Sequence, residues 1–273
     1  MGFRFRVLGS GSTGNCTLVE AGDTALLIDA GLGPRSLAER VQAAGVDPAR
    51  LAAILLTHEH ADHAKGAAAF SAKWGVPLWG SRGTYAALGL GAEEIPAYQA
   101  IEAGASRSLD GVSVTAIGVP HDAAAPLAFR VRHAEVALGH ATDLGHVNRA
   151  VADAFAECDA LLIESNYDPQ LLARGPYPWP LKERILSPEG HLGNGDVAAY
   201  LQHRLGVACR RVVLAHVSEK NNDAELALRC AESALSRAGR YDVVLQTAPR
   251  EGTGWLEVGS PAQGASRQLR LWP

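Results

Sequence analysis

The sequence predicts an α/β fold, an αββα sandwich in which two mixed β-sheets pack face to face with helices outside. Two observations carry this expectation. Short β-like runs alternate with helix-like ones for nearly all of the 273 residues. Helix-like runs fall between strands in both halves, whereas strands cluster at the start and in the centre, as two covered sheets require. No repeat recurs at the 20–50-residue periods of solenoids.

The elements follow in order. Arg4–Leu8, Thr17–Glu20 and Ala25–Asp29 are β-like, and the turn-rich Gly9-Ser-Gly-Ser-Thr-Gly-Asn15 separates the first two. A helix over Ser36–Ala44 precedes a buried strand, Ala53–Leu56, that stops at Thr57. A helix at Gly66–Lys73 leads to a strand at Val76–Trp79. The centre is β-rich, with Val112–Gly118, Leu127–Arg132 and Val136–Gly139. Helix and strand then alternate: Asn148–Phe155, Ala160–Ile163, Asp196–Leu205, Arg211–Leu214, Asp223–Arg237 and Asp242–Gln246. One domain over residues 1–258 is expected, with Gly259–Pro273, rich in Gly, Pro, Ser and Gln, as a flexible tail.

Composition narrows the class of protein. A chain of this length buries roughly 75% of its unfolded surface and needs no staple to fold. Hydrophobic residues at 47% and charged residues at 20% exclude disorder, collagen and coiled coil. Cys16, Cys158, Cys209 and Cys230 are widely spaced and form no Cys-x-x-Cys pair, which argues against a disulfide framework and against a zinc finger. No apolar stretch approaches the roughly 18 residues of a membrane helix, and no signal core follows Met1. A cytoplasmic protein without a membrane partner is expected. A net charge of −4 does not advertise nucleic-acid binding, so such a partner must be held by metals or a local basic patch.

The chemistry concentrates in Thr57-His58-Glu59-His60-Ala61-Asp62-His63, directly after a strand. Imidazole and carboxylate are ligands for Zn, Mn and Fe ions, and three histidines with a carboxylate can serve more than one ion. In an extended loop His58 and His60 point to one side, while Asp62 and His63 are displaced toward a neighbouring ion; Glu59 faces away, solvated. One loop cannot close two coordination spheres. Single residues just beyond later strands complete the set: His121, Asp143 and His216, with the two oxygens of Asp143 able to bridge. His140, beside Asp143, is a candidate supporting residue.

On these residues the chain resembles the metallo-β-lactamase superfamily, whose signature His58-x-His60-x-Asp62-His63 matches over a likeness spanning residues 4–247. The resemblance implies two divalent ions, Zn or Mn. One is held by His58, His60 and His121, the other by Asp62, His63 and His216, with Asp143 shared and Asp29 orienting a ligand. Asp143 stands where many true β-lactamases carry cysteine, and His60 where flavodiiron proteins carry Glu, so antibiotic hydrolysis and redox chemistry are disfavoured. Thioester hydrolases of the glyoxalase II type share the seven ligands. Gly190-His191-Leu192-Gly193-Asn194 and Leu214-Ala215-His216-Val217-Ser218 look like motifs of tRNA 3′-end nucleases, but no long insertion fits between the ligands. Those motifs, with Gly9–Asn15 and Tyr177–Ile185, resemble a compact bacterial group, the YycJ/WalJ-type double-stranded DNA exonucleases.

The resemblance therefore implies a binuclear metal-dependent phosphodiesterase acting on nucleic acid, DNA favoured over RNA. In it a metal-bridged hydroxide attacks phosphorus in line. Asp62 orients the nucleophile, and His191 stabilises or protonates the leaving oxygen. Asn15, Asn194 and Arg184 are the substrate-binding candidates; Arg174, Lys182, Tyr177 and Trp179 are candidates for a phosphate-and-stacking patch with Arg184. The alternatives are a small-molecule thioester or lactone hydrolase and an RNA-processing nuclease.

Overall fold

The computed structural model describes residues 2–89 and 97–259. The first half contains β1 (Phe3–Gly9), β2 (Cys16–Ala21), β3 (Thr24–Ile28), α1 (Pro34–Ala43), β4 (Leu51–Leu55), α2 (Ala61–Ala64), α3 (Ala67–Trp74), β5 (Leu78–Gly80), α4 (Arg82–Leu88) and β6 (Tyr98–Ala100). The second contains β7 (Ser106–Leu109), β8 (Val112–Gly118), β9 (Leu127–His133), β10 (Val136–Ala141), α5 (Arg149–Phe155) and β11 (Ala160–Glu164). It continues through α6 (Pro169–Arg174), α7 (Trp179–Leu186), α8 (Asn194–His203), β12 (Arg211–Ala215), α9 (Ala224–Arg237) and β13 (Val244–Thr247). A last strand, β14 (Leu256–Glu257), returns to β1.

Each sheet has seven strands, in the orders β14-β1-β2-β3-β4-β5-β6 and β13-β12-β11-β10-β9-β8-β7. Pairing is antiparallel up to β3 in one and β10 in the other, then parallel through β4–β6 and β11–β13. The period-two alternation of strands sorts side chains into layers. Phe3, Phe5 and Val7 of β1 and Leu26 and Ile28 of β3 meet Val112, Val114, Phe129, Val131, Leu138 and Leu162 between the sheets. Leu27 of β3 faces outward and packs with Leu37 and Val41 of α1 and Phe70 of α3. On the other flank Leu161, Ile163, Val212 and Leu214 pack beneath Phe155, Leu201 and Leu235 of α5, α8 and α9. Three apolar layers separated by two sheets are the αββα sandwich that the sequence predicts.

Local chemistry sets the helix starts. Asn148 and Asp223 cap α5 and α9 by accepting backbone N–H bonds from Val151 and from Glu225 and Leu226. α8 starts two residues earlier than expected because the Asp196 carboxylate accepts the Gly193 N–H at 3.1 Å. The elements absent from the sequence reading are β6, β7, β14, α2, α4, α6 and α7. Gly259 closes the described chain; the tail expected over 259–273 otherwise lies outside the described residues.

Candidate metal centre

Strand ends of both sheets converge on one rim of the sandwich. After β4 the chain turns through Thr57–His60 into α2, placing His58, His60, Asp62 and His63 together. Gly31 permits this approach: a Cβ there would lie 1.7 Å from the Asp62 carbonyl oxygen. The second half contributes His121 after β8, Asp143 after β10 and His216 after β12. Asp29, Asp143 and His216 adopt left-handed backbone, with φ of 62°, 55° and 53°. Such conformers cost about 1–3 kcal/mol for non-glycine residues and concentrate at functional sites.

Two groups of potential ligands result. His58, His60 and His121 form one; Asp62, His63, Asp143 and His216 form the other. Within the first, ring centroids lie 4.5 Å (His58–His60), 5.0 Å (His58–His121) and 5.2 Å (His60–His121) apart. Asp143 stands between the groups: Oδ2 is 2.6 Å from His63 Nε2 and 3.5 Å from His58 Nε2, and Oδ1 is 2.6 Å from His216 Nδ1. The buried nitrogens His58 Nε2 and His121 Nε2 have no hydrogen-bond partner. Orphaned imidazole nitrogens facing a carboxylate are the donor set a divalent cation satisfies, so these residues fit metal ions.

The other nitrogens are tied down. Asp29, fully buried, accepts the Thr57 N–H (2.8 Å) and Oγ–H (2.9 Å) through Oδ1 and faces His63 Nδ1 at 2.7 Å through Oδ2. His121 Nδ1 donates to the Gly190 carbonyl at 3.0 Å. Such contacts select the tautomer that leaves Nε2 toward the centre. Glu59, expected to be solvated, instead accepts the Ala124 N–H at 2.8 Å and so fastens the loop that carries His121.

Charge is balanced inside the cluster. Although burial opposes ionisation of Asp143, His216 and His63 hold its carboxyl well below the usual range. Burial opposes protonation of His63 and His216, yet Asp143 outweighs it and raises both, with Asp29 assisting at His63. Burial holds His58 well below its ordinary value, aided by the charge of His63.

One residue outside the sequence-based set is central. Glu164, the last residue of β11, is fully buried and accepts from His191 Nδ1 (2.7 Å), His216 Nδ1 (2.8 Å), Leu144 N (3.1 Å) and Leu192 N (3.2 Å). Burial of the His191 ring is outweighed by Glu164, with Asp143 adding to it, and its pKa is pushed up to about 10. The signal that finds Glu164 is a carboxylate ending an apolar strand whose neighbours, β10 and β12, lead directly into Asp143 and His216.

The centre opens into a cleft of about 630 Å³ lined by the Ser10–Thr13 turn, His60, Asp62, His121, Tyr177, Arg184, His191, Ser218 and Arg250, among others. Arg184 lies in its wall, paired with Asp122. Asn15 sits behind Asp62: its Oδ1 accepts the Gly11 N–H at 2.8 Å, and its Nδ2 is 3.3 Å from Asp62 Oδ2. Asn194 is buried away from the cleft, accepting from Ser165 Oγ (2.8 Å) and bonded to Asn222 (2.8 Å). Lys182 gives its ammonium to the Ala173 carbonyl at 2.8 Å, and Trp179 is exposed with Nε1 donating to Glu183. His140 is buried beside Thr17, and burial pushes it down to about 4.

Residues 24–217 match the family model described as beta-lactamase superfamily domain. The chain is 34% identical over 266 residues to exodeoxyribonuclease WalJ of Streptococcus pneumoniae, covering 94% of this chain and 99% of that protein. It is 34% identical over 241 residues to exodeoxyribonuclease YycJ of Bacillus anthracis, covering 88% and 91%. Its fold is similar to that of the metallo-beta-lactamase fold protein YhfI of Bacillus subtilis, with TM-score 0.72, 15% identity, and coverage of 94% and 100%. The sandwich, the histidine-rich turn after β4 and a sequence match spanning most of the chain agree: this protein belongs to the beta-lactamase superfamily.

Proposed function

We propose that this protein is a metal-dependent exodeoxyribonuclease holding two divalent ions, Zn or Mn. His58, His60 and His121 serve one ion, Asp62, His63 and His216 the other, and Asp143 both. Bound ions supply Lewis acidity and an activated water for phosphodiester hydrolysis. The observation that carries the reading is the Glu164–His191 pair. Glu164 fixes the His191 ring through Nδ1 and favours its protonated form, and His191 lines the cleft next to the Asp143 carboxylate, 3.3 Å away. A cationic imidazole with Nε2 free is suited to stabilise a phosphoryl oxygen or protonate a departing one, a role worth about 10²–10⁴-fold. Asp62, partly exposed in the cleft wall, orients the attacking water through a free oxygen. Arg184 serves as the cleft cation for a substrate phosphate, and Asn15 supports Asp62 from behind. Two relatives 34% identical over nearly their whole length are named exodeoxyribonucleases, which supports DNA as substrate. Cys16, Cys158, Cys209 and Cys230 are free thiols, which fits a reducing cytoplasm; among the described residues no helix is long and apolar enough to cross a membrane.

The test is hydrolysis of an end-labelled DNA duplex with Mn and Zn supplied separately, Asp62→Ala as control, and labelled RNA and S-lactoylglutathione as parallel substrates. Stepwise shortening of the duplex that the variant loses is the expected result. Turnover of RNA or thioester with the duplex untouched overturns it.

A further inference from the structure

The proposed DNA chemistry leaves open how the cleft finds an end. Among the described residues, the only Lys or Arg side chains lining it are Arg184 and Arg250. They flank the proposed ions. Arg184 pairs with Asp122, whose Oδ1 is 3.3 Å from His121 Nε2. Arg250 lies on the side of His216: its Nε donates to Thr13 Oγ1 at 3.1 Å, and its Nη1 is 3.3 Å from Glu219 Oε1. Thr13 belongs to the turn whose Ser10 Oγ accepts the His216 N–H at 2.9 Å.

Arg250 is not a loose surface arginine. It sits in a turn, residues 248–253, that three elements of the sandwich hold. The Ala248 N–H donates to the Leu214 carbonyl of β12 at 2.8 Å, and the Thr253 N–H to the Val7 carbonyl of β1 at 2.9 Å. Arg40 of α1 donates from Nη1 to the Glu251 carbonyl at 3.2 Å. Gly252, with φ of 98°, permits the close fit, because a Cβ there would lie 2.2 Å from the Val7 carbonyl oxygen. A side chain on such a support is aimed before any ligand arrives. Glu219 competes little for it. The two side chains are 53% and 62% exposed, and exposed pairs hold weakly.

The same contacts close the cleft on this side. Thr13 follows β1 of one sheet, whereas Arg250 and Glu219 follow β13 and β12 of the other, so Arg250 ties the two halves together across the rim. A strand running straight through would have to break this tie. The volume agrees: about 630 Å³ falls among pockets that enclose one small ligand, the scale of a nucleotide rather than of a continuing strand. The closed wall also suits an anion. Besides the guanidinium it offers the hydroxyls of Ser12, Thr13 and Ser218, and the Ser12 and Thr13 N–H groups, which make no hydrogen bond among the described residues. Successive N–H groups free in a turn are a device for holding phosphate.

We propose that Arg250 and the Ser12–Thr13 turn hold the terminal phosphomonoester of the DNA end being digested, and so confine cleavage to an end. The proposal rests on the nuclease reading above. A terminal phosphate carries about 1.5 to 2 negative charges at neutral pH and three acceptor oxygens, and a guanidinium meets it with paired N–H groups. Glu219 and Asp223, which also line the cleft, repel any anion that Arg250 does not neutralise. The end nucleotide then lies on the His216 side, and the rest of the strand leaves past Arg184. Hydrolysis itself makes the ligand. Water adds its oxygen to phosphorus, one P–O ester bond breaks, the departing oxygen takes a proton, and one fragment keeps a phosphomonoester. Where that fragment is the remaining duplex, each cut prepares the next.

The test uses the full chain and fluorescent hairpin duplexes whose single open end bears a 5′-phosphate, a 3′-phosphate or hydroxyls only. With Mn or Zn, kcat/KM should be about 10–100-fold higher for one phosphorylated end, the effect of hydrogen bonds to a charged group. The difference should lie in KM, and the arm that shows it names the end that is read. Arg250→Ala should bring the ratio close to one, with melting temperature and metal content unchanged. Arg250→Lys should restore only part of it, since an ammonium lacks the planar fork. Anisotropy of the same duplexes in chelator should show the same preference in binding, lost again in Arg250→Ala. Equal cutting of all three ends overturns the proposal, as does equal binding of them in chelator. A preference that Arg250→Ala retains in full also overturns it, because the ions would then be reading the phosphate. Failure of the nuclease reading shows separately: no duplex is cut with either metal, while binding of a phosphorylated end that depends on Arg250 persists in chelator.

Discussion

The two halves of the sandwich use one backbone plan and put it to different work. In each sheet the pairing switches from antiparallel to parallel at one strand, β3 or β10, and an aspartate with left-handed backbone follows that strand: Asp29 in the first half, Asp143 in the second. Aspartate tolerates this conformation better than most residues because its short polar side chain bonds locally. Asp29 is enclosed and spends both oxygens on Thr57 and His63. Asp143 is equally buried, yet it faces His58, His63, His191 and His216. The strand after each switch explains the divergence. β4 delivers a contiguous histidine loop that Asp29 must hold, whereas β11 delivers Glu164, which holds His191 and His216 and leaves Asp143 for the proposed ions.

The sharpest break of this comparison is the same substitution made in both halves. Asp143→Asn should abolish turnover by at least about 10³-fold and lower the metal content, since a shared ligand supplies several kcal/mol at the reacting centre. Asp29→Asn should weaken metal affinity by about 10–100-fold and leave near-normal turnover at saturating metal, as for partners that only orient a ligand. Metal analysis and titration of activity with Mn separate the two. Equal loss in both variants would end the distinction.

Legibility follows the same division. The proposed ligands of the first half lie within His58–His63, so residue spacing alone exposes them. Those of the second half are single residues at 121, 143 and 216, brought together only by the order of β8, β10 and β12. Resemblance to a family, rather than pattern, assigns their pairing. Glu164 escapes notice because β11 reads as an apolar run and its last residue looks like the start of a loop. β6, β7 and β14 have two to four residues and are largely unburied, so no alternation marks them. α6 and α7 each carry proline in their first turn and are pinned by a small cluster around Tyr167, Leu172 and Ile185, a tertiary contact invisible in sequence. Asn194 shares a motif with His191, yet it is turned into a buried amide network.

The next effect in size concerns the carboxylate that the second half adds. His191→Ala should keep both ions and slow cleavage by about 10²–10⁴-fold. Glu164→Gln should cost about 10–100-fold, and it should also move the alkaline limb of the pH–rate profile to lower pH. The sign follows from charge: Glu164 raises His191, so removing it lets the imidazole lose its proton sooner. An unshifted profile would reduce Glu164 to packing.

The metal-free centre should report its charge balance through stability. His191, His63 and His216 are raised, so their contribution is full below the ordinary imidazole value and fades as pH climbs through the folded values, near 10 for His191. Asp143 and Glu164 are lowered, so theirs is full above ordinary carboxylate values and fades as pH falls. Burial lowers His58, His60 and His140, so stability also falls as pH drops through the ordinary imidazole value. Metal-free protein should be most stable near that value, about pH 6.5. Added Mn or Zn should move that optimum upward, because ligand nitrogens must be deprotonated. Melting curves in chelator and in metal, from pH 5 to 9, check both directions.

The smallest effect separates the cleft wall from the scaffold behind it. Arg184 lines the cleft and is half-exposed, its guanidinium paired with Asp122. Phosphate exchanges easily with such a surface partner, because an exposed ion pair holds with no more than about 1 kcal/mol. Arg184→Ala should therefore raise KM for duplex several-fold and reduce the slope of log affinity against log salt by about 0.9, the value of one phosphate contact. Asn194→Ala should do the reverse. Its amide joins Ser165 to Asn222 beneath the loop that follows His216, so its loss leaves buried polar groups unpaired. That costs about 1–3 kcal/mol of stability with KM and salt slope unchanged. A salt slope altered by Asn194→Ala would mean that the wall opens to admit substrate, and it would move this residue from the scaffold to the cleft.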